Sequence, residues 1–374
     1  MFRSLRSAAL SLALLLSLLA TGCTQEPEPT ATVATPTPAA TSTRAPTPTA
    51  EATAAPSMTP SPTPDPRWAS VAGIVDPANT SYPREVRSGT AVVTIKAKPQ
   101  RIHTVSLGLD EVTYALVPPE RVVAVARFTQ DPGQSNVAEQ SKNAAVVARD
   151  PEQIIAQSPD IVLASPTSNA ALIASLEGAG ILVVRVGLDN TAENRIQNIL
   201  LVGYILGEEQ RALQLAGEVQ ARVDALAALS ASKPAAARTR VLSLTSFSGS
   251  IYTAGIGSTE GAVIDSAGGI NAAAEAGVQR NPVTSLEGVI AMQPDVIFIP
   301  QPNPSAETFR QSLLADEALK DVPAVKAGRV YVVEPKWFTT LSFWNVRGAE
   351  EMAKLLWPAE LGGKTFPPFS FPSP

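Results

Sequence analysis

The chain has 374 residues, a net charge of −5, one cysteine and one histidine. It is long enough for two modest domains, and its acidic balance argues against a nucleic-acid partner, which would require a basic surface. A single cysteine excludes an internal disulfide and a multi-cysteine metal or iron–sulfur centre, and a single imidazole excludes a cage of several histidines. We therefore expect no resident metal and no cofactor.

The first 22 residues have the pattern of an export signal. Arg3 and Arg6 precede an apolar stretch that is too short for a comfortable membrane span but typical of a signal peptide. The stretch ends in LLATGC at residues 18–23, which resembles a bacterial lipobox. We expect lipidation at Cys23 and a chain anchored on the extracytoplasmic face of the cell membrane. The alternative is an ordinary secretory signal followed by an incidental cysteine.

Residues 23–66 form a segment rich in proline, threonine and alanine, with almost no large apolar side chains. Such a segment cannot bury enough apolar surface to offset the entropy lost on ordering, so it is predicted to be disordered. Its prolines favour an extended polyproline II conformation of ~3 Å per residue. We interpret the segment as a tether between the lipidated cysteine and a folded part.

Residues 67–190 are predicted to form an N-terminal α/β lobe. Short apolar runs rich in β-branched residues alternate with helical segments, which predicts a parallel sheet covered on both faces. Strands are predicted at residues 92–97, 102–107, 122–126, 161–164 and 181–186, and helices at 110–116, 151–157 and 169–178.

Residues 191–232 are predicted to form a helical connection. Thr191 is a candidate N-cap, and Gly207 divides the run into two helices, the second from about Glu208 to Ala231. The second helix carries one apolar stripe, made of Ala212, Ala216, Val219, Val223 and Leu226. We expect this stripe to pack on both lobes and to make the connection a stiff spine.

The alternation of strands and helices restarts at Arg240 and defines a C-terminal lobe, residues 233–374. Residues 150–163 read DPEQIIAQSPDIVL and residues 285–298 read SLEGVIAMQPDVIF, so Glu, Ala, Pro and Asp recur in the same order and spacing. One such segment alone is a generic helix–turn–strand connection, whereas the matched pair favours a duplication. The sequence thus predicts an α/β fold of two parallel-sheet lobes joined by a long helix, with a binding cleft between the lobes.

From about residue 91 to residue 358 the chain resembles the periplasmic binding proteins that serve ABC importers of ferric siderophores, haem and cobalamin. The resemblance is carried by RIHTVSLGLDEVTYAL at 101–116, RVVAV at 121–125 with Asp131-Pro132 after it, the two duplicated segments, Gly268-Gly269, Trp337-Phe338 and LLWP at 355–358. Two segments depart from the family pattern. VPP at 117–119 replaces a usual glycine, and SLGLD at 106–110 replaces a Ser/Thr-rich loop.

The resemblance implies a protein that binds a bulky solute, a ferric siderophore or a cobalamin-like ligand, and delivers it to the permease and ATPase of an ABC importer. It also implies that Glu152 and Glu287, one on each lobe, dock onto arginines of the permease. Each glutamate lies in the first turn of a predicted helix, where the dipole favours a carboxylate, so the alternative is a purely local stabilising role. We expect a monomer, held at the membrane by its lipid anchor.

Candidate ligand contacts lie on loops at the predicted carboxyl ends of strands, where ligands bind in open α/β folds. Arg127 and Arg280 are candidates for charge-assisted hydrogen bonds to an anionic chelate, and Asn281 adds a polar side chain. Flat apolar walls are expected from Phe128, Tyr252, Trp337 and Phe338, with Trp344 as a further candidate. For each arginine the alternative is a solvated loop charge. For each aromatic ring it is core packing, above all for Trp344 and Trp357.

His103 lies inside an apolar strand, and we interpret it as a packed histidine rather than a haem or metal ligand. The chain has no GxSxG motif, no Walker A loop and no paired His/Asp array, so no catalytic residues are predicted and the protein is not expected to be an enzyme. The open alternatives concern the cargo and its use. They are haem, a metal oxyanion, or a sensory binding lipoprotein that takes no part in transport.

Overall fold

The computed structural model describes residues 65–188, 192–234 and 238–372. Cys23, the predicted signal peptide and all but the last two residues of the predicted tether lie outside the described residues, as does Thr191. Within the described ranges, the fold class predicted from the sequence is confirmed: two α/β lobes are bridged by a pair of helices.

The N-terminal lobe begins with an antiparallel hairpin, β1 (Arg84–Ser88) and β2 (Ala91–Ile95). A parallel sheet follows, made of β3 (Ile102–Thr104), β4 (Val122–Val125), β5 (Ala145–Val146), β6 (Ile161–Ala164) and β7 (Leu182–Arg185). Their order across the sheet is β5-β4-β3-β6-β7. The helices of this lobe are α1 (Leu107–Tyr114), α2 (Ala138–Ser141), α3 (Pro151–Ala156) and α4 (Ala170–Gly178).

The central strands of this sheet are buried on both faces, as the continuous apolar runs of the sequence predict. In β6, Ile161 and Leu163 pack in one core cluster with α1, while Val162 and Ala164 pack in another with α3 and α4. The sheet therefore has a layer of helix on each side, and its strand ends are free to carry functional loops.

Two boundaries differ from the prediction. The strand expected at 92–97 belongs to the β1–β2 hairpin and not to the lobe sheet, and its partner β1 was not predicted. Helix α1 starts at Leu107 and not at Asp110, because the Ser106 side chain accepts a hydrogen bond from Leu109 N and caps the helix earlier.

The lobes are connected by α5 (Ala192–Leu206) and α6 (Glu209–Ala231), which pack against each other. Gly207 separates them with a φ of 71°, a left-handed conformation that glycine adopts without strain. A Cβ at this position would lie 2.8 Å from the Tyr82 hydroxyl, so a residue with a side chain would also clash here.

The α6 stripe packs on both lobes, as predicted. Ala212, Ala216 and Val219 belong to the core that contains the N-terminal sheet, and Leu226 belongs to a core of the C-terminal lobe. A single helix therefore contributes to the cores on both sides of the molecule.

The turn between α5 and α6 is held on the N-terminal lobe by buried charge pairs. The Arg84 guanidinium donates to the Tyr204 carbonyl and pairs with Glu209, and Arg121 pairs with Glu208. Arg84 is 1% exposed, so its charge depends on these partners for solvation.

The C-terminal lobe is built on β8 (Arg240–Phe247), β9 (Ser250–Thr253), β10 (Ile270–Asn271), β11 (Val283–Thr284), β12 (Val296–Ile299) and β13 (Val330–Val332). The order is β11-β9-β8-β12-β13, and β10 also pairs with β8. Strand β8 is parallel to β12 and to β10, and β12 is parallel to β13. The β8–β9 and β9–β11 pairings are antiparallel, so the predicted parallel sheet carries an additional hairpin at one edge.

The helices of this lobe are α7 (Thr259–Ser266), α8 (Ala272–Glu275), α9 (Leu286–Met292), α10 (Ser305–Ala315), α11 (Pro323–Lys326), α12 (Pro335–Phe338), α13 (Asn345–Leu356) and α14 (Pro358–Leu361). After α14 the chain returns to the N-terminal core. The Phe369 ring lies edge-on to the rings of Phe343 and Trp344, at 4.9 Å and 5.0 Å between centroids. The described residues of both lobes and of the spine belong to one compact unit.

Candidate functional site

The carboxyl ends of the parallel strands in each lobe carry the loops that hold most of the predicted site residues. In an open α/β sheet, ligands bind in the crevice outside these ends. The loop that follows β4 contains Arg127 and Phe128, and the helix that follows β13 contains Trp337 and Phe338. The two lobes therefore present walls of different composition to the cleft.

The wall from the N-terminal lobe contains a cavity of ≈ 380 Å³, here called the N-lobe pocket. Its lining comes from β3, the start of α1 and the segments that follow β3, β4 and β5: His103, Val105, Ser106, Leu107, Ala126, Arg127, Phe128, Val147, Ala148 and Arg149. The Arg127 guanidinium lies 5.1 Å from the Phe128 ring centroid, and the Phe128 side chain is 45% exposed. The structure thus brings the predicted Arg127 and Phe128 together on a ligand-accessible surface.

A second cavity measures ≈ 860 Å³ and is lined by residues of both lobes. Asp131 and Gly133 come from the N-terminal lobe, and the C-terminal lobe supplies the rest: Gln301, Pro302, Asn303, Tyr331 to Pro335, Trp337, Phe338, Glu351, Lys354 and Leu355. Trp337 is half-buried, and its ring lies 5.3 Å from the Arg347 guanidinium carbon. A volume of this size suits a small-molecule ligand.

Three further predicted residues lie at the opposite edge of the C-terminal sheet. Tyr252 on β9 is half-buried and pairs with Val283, while Arg280 and Asn281 are exposed on the loop before β11. Asn281 Nδ2 donates to Glu260 Oε2 at 3.3 Å. Neither cavity described above includes these three residues, so they form a separate group.

Two aromatic candidates are buried in the structure. Phe338 is 1% exposed, and its ring packs 5.3 Å from that of Phe298 in the core of the C-terminal lobe, although the residue also lines the ≈ 860 Å³ cavity. Trp344 is 6% exposed and stacks on Phe343, 5.7 Å between centroids, which agrees with its interpretation as core packing. A ligand contact at Phe338 stays a prediction.

Glu111 on α1 joins the two lobes, and we call its set of contacts the interlobe clasp. The Glu111 carboxylate accepts hydrogen bonds from Asn136 N at 3.0 Å and Asn136 Nδ2 at 2.7 Å, both in the N-terminal lobe. It also accepts from the hydroxyls of Thr340 and Ser342, which lie between α12 and α13. Asn136 Nδ2 further donates to the Lys336 carbonyl at 2.8 Å. These bonds fix one end of the cleft.

Asp110, the neighbour of Glu111, is fully buried. Burial raises its pKa to about 7, against the opposing effect of hydrogen bonds from Thr129 Oγ1, Thr104 Oγ1 and Ala126 N. Burial also raises the pKa of Glu111. Both carboxyl groups belong to α1, whose first residues line the N-lobe pocket. The charge carried by this helix therefore depends on pH.

We expect the wild type to lose stability relative to an Asp110→Asn variant as pH rises from about 4 to about 7. In that window the folded protein keeps a proton on Asp110 that the unfolded chain, with a carboxyl pKa near 3.8, has released. Folding then binds protons, so the free energy of unfolding falls with rising pH and levels off above about 7. Urea unfolding across this range measures the difference.

The comparison with Asp110→Asn is needed because the titration of His103 changes the free energy of unfolding with pH in the opposite direction. Burial lowers the pKa of His103 to about 4, so its contribution to stability is lost as pH falls below the ordinary value of 6.5. An Asp321→Asn variant, at an exposed position, serves as the control and should follow the wild type. Equal slopes for the wild type and Asp110→Asn would contradict the prediction.

Glu152 and Glu287 occupy equivalent places in the two lobes. Each is exposed in the first turn of a helix, α3 or α9, and each helix is capped by a side chain, from Asp150 or Ser285. Each helix leads through a short turn into a parallel strand of its sheet, β6 or β12. The hydrogen bond with Ser285 lowers the pKa of Glu287, which keeps this carboxylate charged.

His103 is packed as expected, at 1% exposure, with Nδ1 2.9 Å from the Ala124 carbonyl oxygen. The described residues include no group of three His, Cys, Asp or Glu side chains placed to hold a metal ion. Within the same ranges, no helix has the length and apolar character needed to cross a membrane.

Sequence reasoning missed two residues of the site. Arg149 lines the N-lobe pocket, and Glu111 forms the interlobe clasp. An acidic pair inside an otherwise apolar helix was a signal for Glu111. Nothing in the sequence distinguished Arg149 from other loop arginines.

Comparison with known proteins places these features in context. A family model described as "Periplasmic binding protein" matches residues 102–336. A cobalamin-binding protein of Halobacterium salinarum is 25% identical over 261 residues, 68% of each chain. An uncharacterized ABC transporter substrate-binding lipoprotein of Bacillus subtilis, YvrC, is 26% identical over 271 residues, 71% of this chain and 82% of the relative.

The fold also matches solved structures. The apo form of the periplasmic heme-binding protein RhuT from Roseiflexus sp. RS-1 superposes with a TM-score of 0.61 at 25% identity, over 70% of this chain and 98% of that one. A periplasmic binding protein from Veillonella parvula has a TM-score of 0.64 at 19% identity, over 75% and 98% of the two chains. The two-lobe architecture is therefore shared with proteins that differ widely in sequence.

Proposed function

Because the chain belongs to the family of periplasmic binding proteins, we propose that it is a cell-surface lipoprotein that delivers a bulky solute to an ABC importer. The proposed solute is a ferric siderophore or a cobalamin-like ligand. The observation that carries this proposal is the ≈ 860 Å³ cavity, which residues of both lobes line and Trp337 borders. Its volume lies within the range of small-molecule sites.

The proposed ligand-contacting residues are Arg127, Phe128 and Trp337, with Tyr252, Arg280 and Asn281 at the far edge of the cleft. Arginine and aromatic side chains together suit a ligand that has a flat or apolar body and polar or charged edges. Relatives named for cobalamin and for heme support a large ring-containing or chelated ligand, and haem is therefore retained as a second candidate.

The proposed membrane attachment is through a lipid on Cys23, with residues 24–66 as the tether. A Bacillus subtilis relative is named as a lipoprotein, which supports this arrangement. Two or three acyl chains anchor a protein stably, since each buried CH₂ contributes ~0.8 kcal/mol. Metabolic labelling with a fatty-acid analogue would test it, because a Cys23→Ala variant should lose the label and be released from the membrane.

Native mass spectrometry against ferric siderophores, haem and cobalamin tests the ligand proposal. We expect one ligand per protein for at least one of these compounds. Tryptophan fluorescence gives a second readout, because Trp68, Trp344 and Trp357 are at most 6% exposed and Trp337 is the partly exposed tryptophan beside the cavity.

We expect ligand binding to quench the fluorescence of the wild type, and a Trp337→Phe variant to lose most of that quenching. The ring of phenylalanine keeps most of the apolar wall, so affinity should fall by no more than about tenfold, equivalent to ~1.4 kcal/mol. A Trp357→Phe variant is the control and should keep the quenching. Undiminished quenching in Trp337→Phe would show that the ligand binds away from the ≈ 860 Å³ cavity.

A further inference from the structure

The last described residues of the chain run from the C-terminal lobe back to the core of the N-terminal lobe. Residues 364–372, here called the C-terminal strap, follow α14 and contain no helix or strand. Their sequence, KTFPPFSFP, places Phe366 and Phe369 three positions apart. Prolines favour a polyproline II conformation with three residues per turn, which places both rings on one side of the segment. The structure buries both rings and leaves Pro367 and Pro368 exposed between them.

One end of the strap is fixed in the C-terminal lobe. Phe366 is 9% exposed and belongs to the same apolar core as Phe298 and Trp357. The Arg347 side chain, which comes from α13, donates a hydrogen bond to the Phe366 carbonyl at 2.6 Å. The ring and the backbone of Phe366 are therefore both held by the lobe from which the strap starts.

The other end of the strap is fixed in the N-terminal lobe. Phe369 is 2% exposed and belongs to the apolar core that contains Leu109 of α1. Arg211 of α6 donates to Ser370 Oγ at 3.1 Å, and its Nε donates to the carbonyl of Ala115, at the end of α1, at 2.9 Å. One guanidinium group therefore joins the strap to the first helix of the N-terminal lobe.

Between these two ends the strap lies against α6. The Arg222 guanidinium carbon is 3.9 Å from the Phe369 ring centroid, which is close enough for a cation–π contact. Arg222 also donates to the Pro368 carbonyl at 3.3 Å, and Ser370 Oγ donates to Glu218 Oε2 at 3.2 Å. The interlobe helix thus supports the strap where it passes from one core to the other.

The strap is a second chain connection between the lobes, in addition to α5 and α6. Domains joined by one connection move relative to each other unless their interface is large and apolar. The strap has one aromatic side chain in the core of each lobe. A motion that separates the lobes would pull Phe366 or Phe369 out of its core, so the strap opposes that motion.

We propose that the C-terminal strap holds the two lobes at a fixed separation while the cleft is empty. Phe369 is its anchor in the N-terminal lobe, and Phe366 is its anchor in the C-terminal lobe. The inference goes beyond the proposed function, because it concerns the ligand-free protein and does not depend on the identity of the solute. The match to the family model ends at residue 336, so the strap lies outside the matched region. A cleft held in this way is preorganised for its ligand.

Hydrogen exchange of the ligand-free, full-length protein, followed by mass spectrometry, tests the inference. The reporter is the loop at 131–137 of the N-terminal lobe, which contacts α12 of the C-terminal lobe. Asn136 Nδ2 donates to the Lys336 carbonyl at 2.8 Å, and Lys336 Nζ donates to the Pro132 carbonyl at 3.1 Å. None of the hydrogen bonds and ring contacts of the described strap residues involves this loop. Faster exchange at 131–137 therefore reports on the contact between the lobes.

A stop codon after Gly363 removes the strap, and Phe369→Ala removes only its anchor in the N-terminal lobe. We expect exchange at 131–137 to be at least about tenfold faster in both variants, which corresponds to ~1.4 kcal/mol in the free energy of local opening. Phe247→Ala is the control, because it removes the same ring from a position that is 72% exposed. Its exchange at 131–137 should stay within about twofold of the wild type.

Exchange in the buried strands β6 and β12 shows whether a variant is folded. If either variant loses protection in these strands, Arg211→Gln decides in its place. That substitution is at a half-buried position, leaves every ring of the strap in place and removes the hydrogen bonds from Arg211 to Ser370. We expect it to raise exchange at 131–137 by about threefold, as for the loss of one or two hydrogen bonds.

Three results would overturn the inference. The first is unchanged exchange at 131–137 in the folded variants. The second is an increase confined to 343–346, beside the Phe369 ring, which is what purely local packing would produce. The third is an equal increase in Phe247→Ala. None of these results bears on the proposed function, which is tested by ligand binding.

Discussion

Replacing Glu152 and Glu287 together with alanine is expected to abolish ligand uptake by cells while the affinity for ligand in solution stays unchanged. Both carboxylates are exposed, one on each lobe, in the first turn of a helix. Charges at the rim of an interface steer encounter and fix register, and their removal lowers association rates on the order of 10-fold to 10³-fold. The measurements are cellular uptake of labelled ligand and calorimetry on the purified protein.

The chain offers a matched control for this experiment. Glu139 and Glu317 are also exposed, one in each lobe, each in the first turn of a short helix, with side chains 88% exposed. A Glu139→Ala/Glu317→Ala variant should transport normally. The docking assignment is wrong if uptake survives in Glu152→Ala/Glu287→Ala, or if the control variant loses uptake to the same extent.

Glu111→Ala is expected to lower the free energy of unfolding by ~3–5 kcal/mol, because several buried donors lose their acceptor and each unsatisfied buried polar group costs ~1–3 kcal/mol. The substitution would remove the acceptor of four hydrogen bonds, from Asn136 N, Asn136 Nδ2 and the hydroxyls of Thr340 and Ser342. It would also release one of the ties between the lobes, so ligand affinity should fall as well. Urea denaturation and calorimetry measure the two effects.

Two further variants accompany Glu111→Ala: the conservative change Glu111→Gln and the control Glu120→Ala. Glutamine keeps the shape of the side chain and one accepting oxygen, so we expect a smaller loss of ~1–3 kcal/mol. Glu120 lies nearby in the chain but is exposed, and its replacement should change stability by less than ~0.5 kcal/mol. A Glu111→Ala protein as stable as the wild type would contradict a role for the interlobe clasp.

Much of the fold follows from local patterns. The duplicated segments predicted α3 and α9, each followed by a buried strand, and the spacing of apolar residues predicted that α6 packs on both lobes. These predictions hold because helix and strand periodicity, caps and glycine breaks are set by residues a few positions apart. The β8–β9 hairpin escaped prediction because Phe247 to Ser250 form a turn inside what reads as one alternating α/β run.

The site was less predictable. Trp337 and Phe338 are adjacent in the chain and both line the ≈ 860 Å³ cavity, yet Trp337 is partly exposed and Phe338 is buried, because successive residues of the short helix α12 point in different directions. Arg149 joins Arg127 only because β4 and β5 are neighbours in the sheet. Neither fact can be obtained from composition or spacing.

The amino-acid sequence by itself determined the two-lobe α/β class and the helical spine with its break at Gly207, because each depends on short-range periodicity or on a repeated segment. The docking role of Glu152 and Glu287 stays a prediction that rests on the family resemblance. Only the tertiary structure decided which side chains line the same cavity and which form hydrogen bonds between the lobes. Glu111 and Ser342 meet through a separation of 231 residues, and sheet order brings His103 beside Arg127 and Arg149. Contacts of this kind depend on strand order and lobe packing, which are set by the burial of the whole apolar core rather than by any local pattern.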